Sequence, residues 1–276
     1  MLEEYVCISK DRACQLDLHI KCALEKFTQL NKIYILYTYS NPFFKQGYEK
    51  LINKNYPKIE WILESNFKNN LIDIVKNKIR GKYFLFLCDD HYFIDTFKDE
   101  ELDTIFSNDD VHSVSIRLSE TMTINSVTRH FMGTPNFTCK DKELLIWDWS
   151  KNNRRFDWGY PMAVGGTIFR KKDILSYLNK FEYKNSGQLE VKMNHNRMNY
   201  RYLMASFNKC CMVDLPFNNI IKEMHNPHGN IAVDFLNKEF LNGKTINTGT
   251  IYNIDTKDSF MTYDIKIIWD RDMTTL

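Results

Sequence analysis

Between residues 4 and 88 the chain repeats one pattern, a short apolar run followed by a stretch with apolar residues at helical spacing. Residues 4 to 9 (Glu-Tyr-Val-Cys-Ile-Ser) predict a buried strand. Asp11 to about Leu30 then carries Leu16, Ile20, Ala23, Leu24 and Phe27 at the spacing of one helical face. Lys32 to Thr38 predicts a second strand, followed by a Ser-Asn-Pro turn and a helix over 44–54. Ile59 to Leu63 and Lys82 to Cys88 predict two more strands, with a helix over 68–79 between them. Strands alternating with helices imply an α/β fold whose mostly parallel sheet is covered on both faces. Ligands in such sheets bind beyond the carboxyl ends of the strands.

The rhythm changes after about residue 100. A helix near 98–106 and a strand from Val111 to Leu118 precede an irregular segment over 120–142, and Leu144 to Trp149 is again apolar. Gly165-Gly166 leads into a strand-like Thr-Ile-Phe and a helix from about Lys172, and Cys210 to Leu215 predicts a further strand. The expectation is a single domain over 1–276 with two lobes, 1–100 binding a nucleotide and 101–276 shaping an acceptor side.

Composition narrows the function classes. Hydrophobic residues at 43% and charged residues at 26% fit a globular chain and argue against disorder. Lys+Arg 37 against Asp+Glu 35 is too even for a chain that lives on nucleic acid or an anionic membrane. The apolar run Tyr83 to Cys88 falls far short of the ~20 residues a membrane helix needs. The acidic start, Met-Leu-Glu-Glu-Tyr, lacks the basic and apolar regions of a signal peptide, which predicts a cytoplasmic protein. Seven scattered cysteines form no CxxC pair and predict reduced, structural thiols.

Four segments carry candidate chemistry. Phe84-Leu-Phe-Leu-Cys-Asp-Asp-His91 ends an apolar strand in two carboxylates and an imidazole, where a divalent cation or ligand hydroxyls would offset the like charges. A helix or turn cap is the plain alternative for Asp89 and Asp90. Ser9-Lys10-Asp11-Arg12 sits where the first strand meets the first helix, and its amides and Arg12 suit a phosphate, or simply start the helix. Asp157-Trp-Gly-Tyr-Pro161 with Gly165-Gly166 suits a pocket floor approached closely by backbone, or a glycine turn over an aromatic core. His225-Asn-Pro-His-Gly-Asn230 puts two histidines in a loop, with His228 a candidate metal or phosphate contact.

Taken in order, these segments resemble a group of bacterial and large-virus, nucleotide-sugar-dependent glycosyltransferases of the GT-A fold. The resemblance is carried by Ser9 to Leu16, Ile35 to Ser40, Gly47-Tyr48, Phe84 to Asp90, Trp158 to Met162 and Gly166 to Arg170. It continues through His228-Gly-Asn230, Leu236-Asn237 and Phe240 to Gly243. It implies a GT-A-like (Rossmann-like) sheet flanked by helices, with a less regular acceptor-side lobe. The implied activity is transfer of a hexosyl or deoxyhexosyl group from a nucleotide-sugar donor to a saccharide or other hydroxyl acceptor, in glycan biosynthesis. The acidic strand end would play the role of a DxD motif. The chain departs from the pattern twice: His91 stands where similar proteins carry a third acid, and Gly165 stands where they carry Asp.

The resemblance implies a nucleotide pocket lined by Ser9, Arg12 and Tyr37 to Ser40. Glu64 would meet the base or ribose, and Asp89 and Asp90 the donor. Asp90, His91 and His228 would hold Mn²⁺ or Mg²⁺. Asp157 is the first candidate for a base that deprotonates the acceptor and Asp148 the second, each beside a tryptophan able to stack on a sugar. The rival readings are a non-catalytic sugar or nucleotide-sugar binding module and a nucleotidyltransferase.

Overall fold

A computed structural model describes residues 1–125, 128, 130–141, 143–154, 156–197, 201–220, 227–252, 254, 256 and 266–270. His225 and Arg155 lie outside these residues. The amino-terminal half follows the apolar pattern: β1 (Glu4–Lys10), α1 (Ala13–Lys26), β2 (Lys32–Thr38), α2 (Pro42–Asn53), β3 (Ile59–Leu63), α3 (Phe67–Asp73) and β4 (Tyr83–Cys88). α1 stops short of the expected Leu30 because Phe27 leaves helical geometry at ψ 85°. α2 starts earlier than expected: the Asn41 side chain accepts from the Phe43 and Phe44 N–H groups, and Pro42 pre-sets the first turn. The helix expected over 68–79 is α3 continued by one π-type turn, Ile74–Lys78.

Successive residues of a strand point to opposite faces, and here both faces are apolar. Tyr5 and Cys7 of β1, Ile33 and Ile35 of β2, and Leu85 and Leu87 of β4 enter one core with α1 and α2. Val6, Tyr34, Leu36, Phe84 and Phe86 enter a second core with α3 on the other face. That double burial is why these strands read as unbroken apolar runs.

The remaining elements are β5 (His91–Phe93), α4 (Leu102–Ser107), β6 (Val111–Ser115), β7 (Phe137–Lys140), β8 (Leu144–Asp148), β9 (Thr167–Arg170), α5 (Lys171–Lys180), α6 (Ser186–His195), β10 (Leu203–Phe207), β11 (Met212–Asp214), α7 (Val233–Leu241) and α8 (Gly249–Tyr252). Among the described residues one nine-stranded sheet runs β3-β2-β1-β4-β9-β6-β10-β8-β7, and β5 pairs with β11 in a separate ribbon. β9 and β8 run against the other strands, so the sheet is mostly parallel with two reversals. β6 is shorter than expected, and the segment expected to be irregular contains β7. No described helix is long and apolar enough to cross a membrane.

Two features of this frame place the site. The carboxyl ends of β1 and β4 lie side by side, with Ile8 opposite Cys88, so Ser9 to Arg12 and Asp89-Asp90 leave the sheet together. The Asp157–Gly159 turn folds so tightly against its approach that a Cβ on Gly159 would lie 2.4 Å from the Asn153 carbonyl oxygen. Backbone must therefore move in a Gly159→Ala variant. The expected loss is about 1–3 kcal/mol, measured as a fall in the thermal midpoint of several degrees; an unchanged midpoint would contradict this packing.

Candidate active site

A cleft of about 930 Å³ opens over the carboxyl ends of β1 and β4. Its floor is built around Arg12. The Arg12 Nη1 donates to Asp89 Oδ1 at 3.0 Å and to Asp90 Oδ2 at 2.7 Å, Nε donates to Asn218 Oδ1 at 2.9 Å, and Nη2 donates to the Asn218 carbonyl. One buried guanidinium thus joins β1, the end of β4 and the loop after β11. The turn that aims it is held by Asp11, whose φ of 57° suits a short polar side chain and whose Oδ1 accepts from Ser40 N–H at 2.6 Å.

The two acids are not equivalent. Asp89 is 2% exposed; its Oδ2 accepts from Ser9 Oγ at 2.7 Å, and that hydroxyl also bonds the Tyr48 hydroxyl. Burial pushes the Asp89 carboxyl up to about 6 despite Arg12 beside it. Asp90 is more open and keeps Oδ1 clear of Arg12; burial opposes its charge, but Arg12 and His91 hold its carboxyl below the ordinary range. Asp90 is therefore the acid of the pair left more open to the cleft, while Asp89 fixes Ser9 and Arg12.

His91 is inside the fold rather than at its rim. The Cys88 N–H donates to its Nδ1 at 2.7 Å, and its Nε2 lies 3.5 Å from Asp214 Oδ2, across the β5–β11 pair. With Nδ1 accepting from Cys88, the ring proton sits on Nε2 toward Asp214; burial works against the imidazolium, yet Asp214 raises the His91 pKa well above its ordinary value. The His91 carbonyl is anchored in turn by His19 Nδ1 at 2.6 Å. Cys88, Asp90 and His91 offer ligand atoms within 4.8 Å of one another. His91 would have to give up the Cys88 hydrogen bond to join an ion through Nδ1, and burial keeps the Cys88 thiol protonated. Of the expected set, Asp90 Oδ1 offers an oxygen ligand, and the cleft-lining His228, whose Nδ1 is bonded to the Gly229 carbonyl, offers an imidazole nitrogen suited to a borderline cation such as Mn²⁺.

The other expected residues divide. Glu64 lines the cleft at the end of β3, half-buried, with its carboxyl raised by burial. Tyr37 and Ser40 are not among the cleft residues: Tyr37 packs on Tyr48 with ring centroids 4.9 Å apart, Ser40 is exposed, and Thr38 lines the cleft between them. Asp157 lines the cleft, but Arg117 Nη2 bonds its Oδ1 at 2.9 Å and Asn125 Nδ2 bonds its Oδ2 at 3.0 Å. Asp148 is a correction. It caps the Trp149–Lys151 turn, accepting from Ser150 N–H and Oγ and pairing with Lys151, and it is not among the cleft residues. The tryptophans are a second correction: Trp149 and Trp158 are buried, and Trp158 packs edge-on against Trp147, so neither offers a face to a sugar.

Sequence reasoning missed Arg117, Glu190, Asp214 and Asn218, all on the cleft wall. Glu190 comes from α6, accepting from Val164 N–H and, at 3.1 Å, from the Tyr160 hydroxyl. Burial raises its carboxyl, as it does that of Asp214. The signal for Glu190 was faint, because α6 buries only Leu189, Met193 and Asn194 and so has almost no apolar stripe.

Arg12 carries the clearest mechanical prediction. An Arg12→Met variant leaves the buried Asp89 and Asp90 without a counter-ion, and losing one partner of such a cluster costs about 3–5 kcal/mol. Urea unfolding should register that loss. A change within about 0.5 kcal/mol, as at an ordinary surface position, would contradict the clamp.

No family model matches the sequence. The chain is 27% identical, over 191 residues covering 63% of its length, to the bifunctional glycosyltransferase pgtA of Dictyostelium discoideum. It spans about a quarter of that relative's length. The resemblance to glycosyltransferases is thus present in a full-sequence comparison, and this relative does not bear on the bacterial and large-virus grouping. Among solved structures, S. aureus TarS residues 1–349 in complex with UDP align with a TM-score of 0.43 and 13% identity, over 74% of this chain and 60% of that one. A 4-diphosphocytidyl-2C-methyl-D-erythritol synthase from Anaerococcus prevotii aligns with a TM-score of 0.40 and 10% identity, over 76% and 91%.

Proposed function

We propose that this protein is a glycosyltransferase that moves a hexosyl or deoxyhexosyl group from a nucleoside-diphosphate sugar to a saccharide or other hydroxyl acceptor. One observation carries the reading: a single cleft is lined both by the Asp89-Asp90 end of β4 and by the carboxylates of Asp157 and Glu190. The strand end suits a nucleotide and its phosphates, the other carboxylates a set of hydroxyls. The sequence likeness to a bifunctional glycosyltransferase supports the same reading.

On the nucleotide side, Ser9, Lys10, Thr38 and Glu64 frame the base and ribose, with Tyr37 packed beneath on Tyr48 and Ser40 exposed beside them. Arg12 with ionised Asp89 and Asp90 sums to one negative charge, so a diphosphate is repelled unless a cation enters with it. A divalent cation held by Asp90 and His228 would supply positive charge to the departing diphosphate. On the acceptor side, Arg117 and Asn125 fix the Asp157 carboxylate as a hydrogen-bond acceptor for sugar hydroxyls.

Thermal denaturation with UDP, GDP, dTDP and CMP, each with Mn²⁺ or with EDTA, tests this assignment. One nucleoside diphosphate should raise the midpoint, by the equivalent of about 2.7 kcal/mol at a hundred times its Kd, and more with Mn²⁺ than with EDTA. No shift with any nucleotide would sink the reading, and equal shifts in Mn²⁺ and EDTA would remove the metal from it. An Asp90→Asn variant should fold normally and lose most sugar transfer. Full activity in that variant would make the strand end a mere cap, and stabilisation without any donor turnover would favour a binding module.

A further inference from the structure

The tryptophan faces expected to stack on a sugar are buried, so any such face must come from another ring. Among the described residues, three aromatic side chains besides the histidines line the cleft: Phe67, Phe156 and Tyr160. Phe67 is buried and packs edge-on against Tyr183, with ring centroids 6.0 Å apart. Tyr160 is tied through its hydroxyl to Glu190 Oε1 at 3.1 Å. Phe156 differs from both. It is half-buried, no other described ring packs on it, and it joins neither apolar core. A large apolar ring left uncovered in a cleft rich in carboxylates is held at a cost that a ligand covering it removes.

The chain holds this ring in place. The Phe156 N–H donates to the Asn153 carbonyl at 2.9 Å, and its own carbonyl accepts from the Gly159 N–H at 2.9 Å, within the turn that leaves no space for a Cβ at Gly159. The next residue is Asp157, which lines the same cleft with its carboxylate oriented by Arg117 and Asn125. An apolar plane beside a fixed carboxylate matches the two sides of a pyranose: a face of C–H bonds that can cover an aromatic ring, and a rim of hydroxyls that can donate to carboxylate oxygens. A simple alcohol has the hydroxyl but no such face. The residues assigned above to the nucleoside come from the ends of β1, β2 and β3, whereas Phe156 and Asp157 come from the segment between β8 and β9.

We propose that Phe156 is the platform on which the acceptor sugar stacks, and that the acceptor is therefore a pyranoside rather than a simple alcohol. The assignment rests on the transferase reading above and names its acceptor class. Phe156 carries the ring by its apolar face while Asp157 accepts from its hydroxyls. Its contribution is to specificity, and it takes no part in bond making or breaking.

The test uses the full chain with UDP-, GDP- and dTDP-sugars as donors and either methyl pyranosides or glycerol as acceptors, read by nucleoside-diphosphate release. Wild type should use at least one pyranoside and prefer it to glycerol in kcat/KM. Phe156→Ala, and Phe156→Leu, which keeps bulk without a flat face, should raise the KM for that pyranoside about 10-fold, the scale of one aromatic contact. The preference over glycerol should fall by the same factor, with kcat, donor KM and the nucleotide-induced midpoint shift unchanged. Phe156→Tyr should stay within a few-fold of wild type, a rescue that follows the ring face. Saturation-transfer NMR gives a readout without turnover: the C–H protons of one pyranose face should receive saturation from wild type and much less from Phe156→Leu. An unchanged acceptor KM in both variants, a raised donor KM, or a wild type that uses glycerol as well as any pyranoside overturns this assignment and leaves the transferase reading standing. Wild-type inactivity with every donor overturns both.

Discussion

The contact on which the rest of the site depends is the Arg12 guanidinium buried between Asp89 and Asp90. Two adjacent carboxylates at the end of a buried strand repel each other and lose hydration, and neither cost is tolerable in an apolar core without a cation. Arg12 provides that charge from the next strand and uses its remaining donors on Asn218. The clamp thereby ties together the end of β1, the end of β4 and the loop after β11. It also leaves the two acids in different states, Asp89 sealed and raised, Asp90 more open and lowered. A division of labour follows, in which the sealed acid holds the floor and the open one meets the ligand.

The same logic extends across the cleft. His19 anchors the His91 carbonyl, Cys88 N–H and Asp214 fix the imidazole, and the imidazole in turn excludes any side chain at Gly165. These are local consequences of placing a large residue at 91. The Glu190 carboxylate delivered by α6 lies against the same turn, accepting from the Val164 N–H next to the position that the imidazole keeps bare.

Much of the amino-terminal half was legible in the residues. β1, β2 and β4 are buried on both faces, so their apolar runs are unbroken, and the abrupt change to Asp89-Asp90 marks where β4 leaves the core. The carboxy-terminal half was less so. β10 is wholly buried, but Leu-Met-Ala-Ser-Phe has little β-branched character, and α6 shows almost no apolar stripe. Both depend on tertiary packing that local pattern does not encode. Among candidate residues, those at strand ends were found because topology puts them at the cleft. Asp148 misled because a carboxylate before a turn reads the same whether it caps or catalyses. Asp157 lines the cleft, and its pairing with Arg117, 40 residues away in sequence, is what local pattern does not show.

On the proposed function, the floor made by Arg12, Asp89 and Asp90 is the donor's phosphate site and the α6 side of the cleft is the acceptor's. A crystal structure of the full chain with a nucleoside diphosphate and Mn²⁺ measures this directly. The diphosphate should lie over Asp90 and the nucleoside between Thr38 and Glu64, with free space between the β-phosphate and Glu190 large enough for a sugar. A nucleotide bound outside this cleft, or one whose phosphates lie against Glu190 with the base over Asp90, would contradict it.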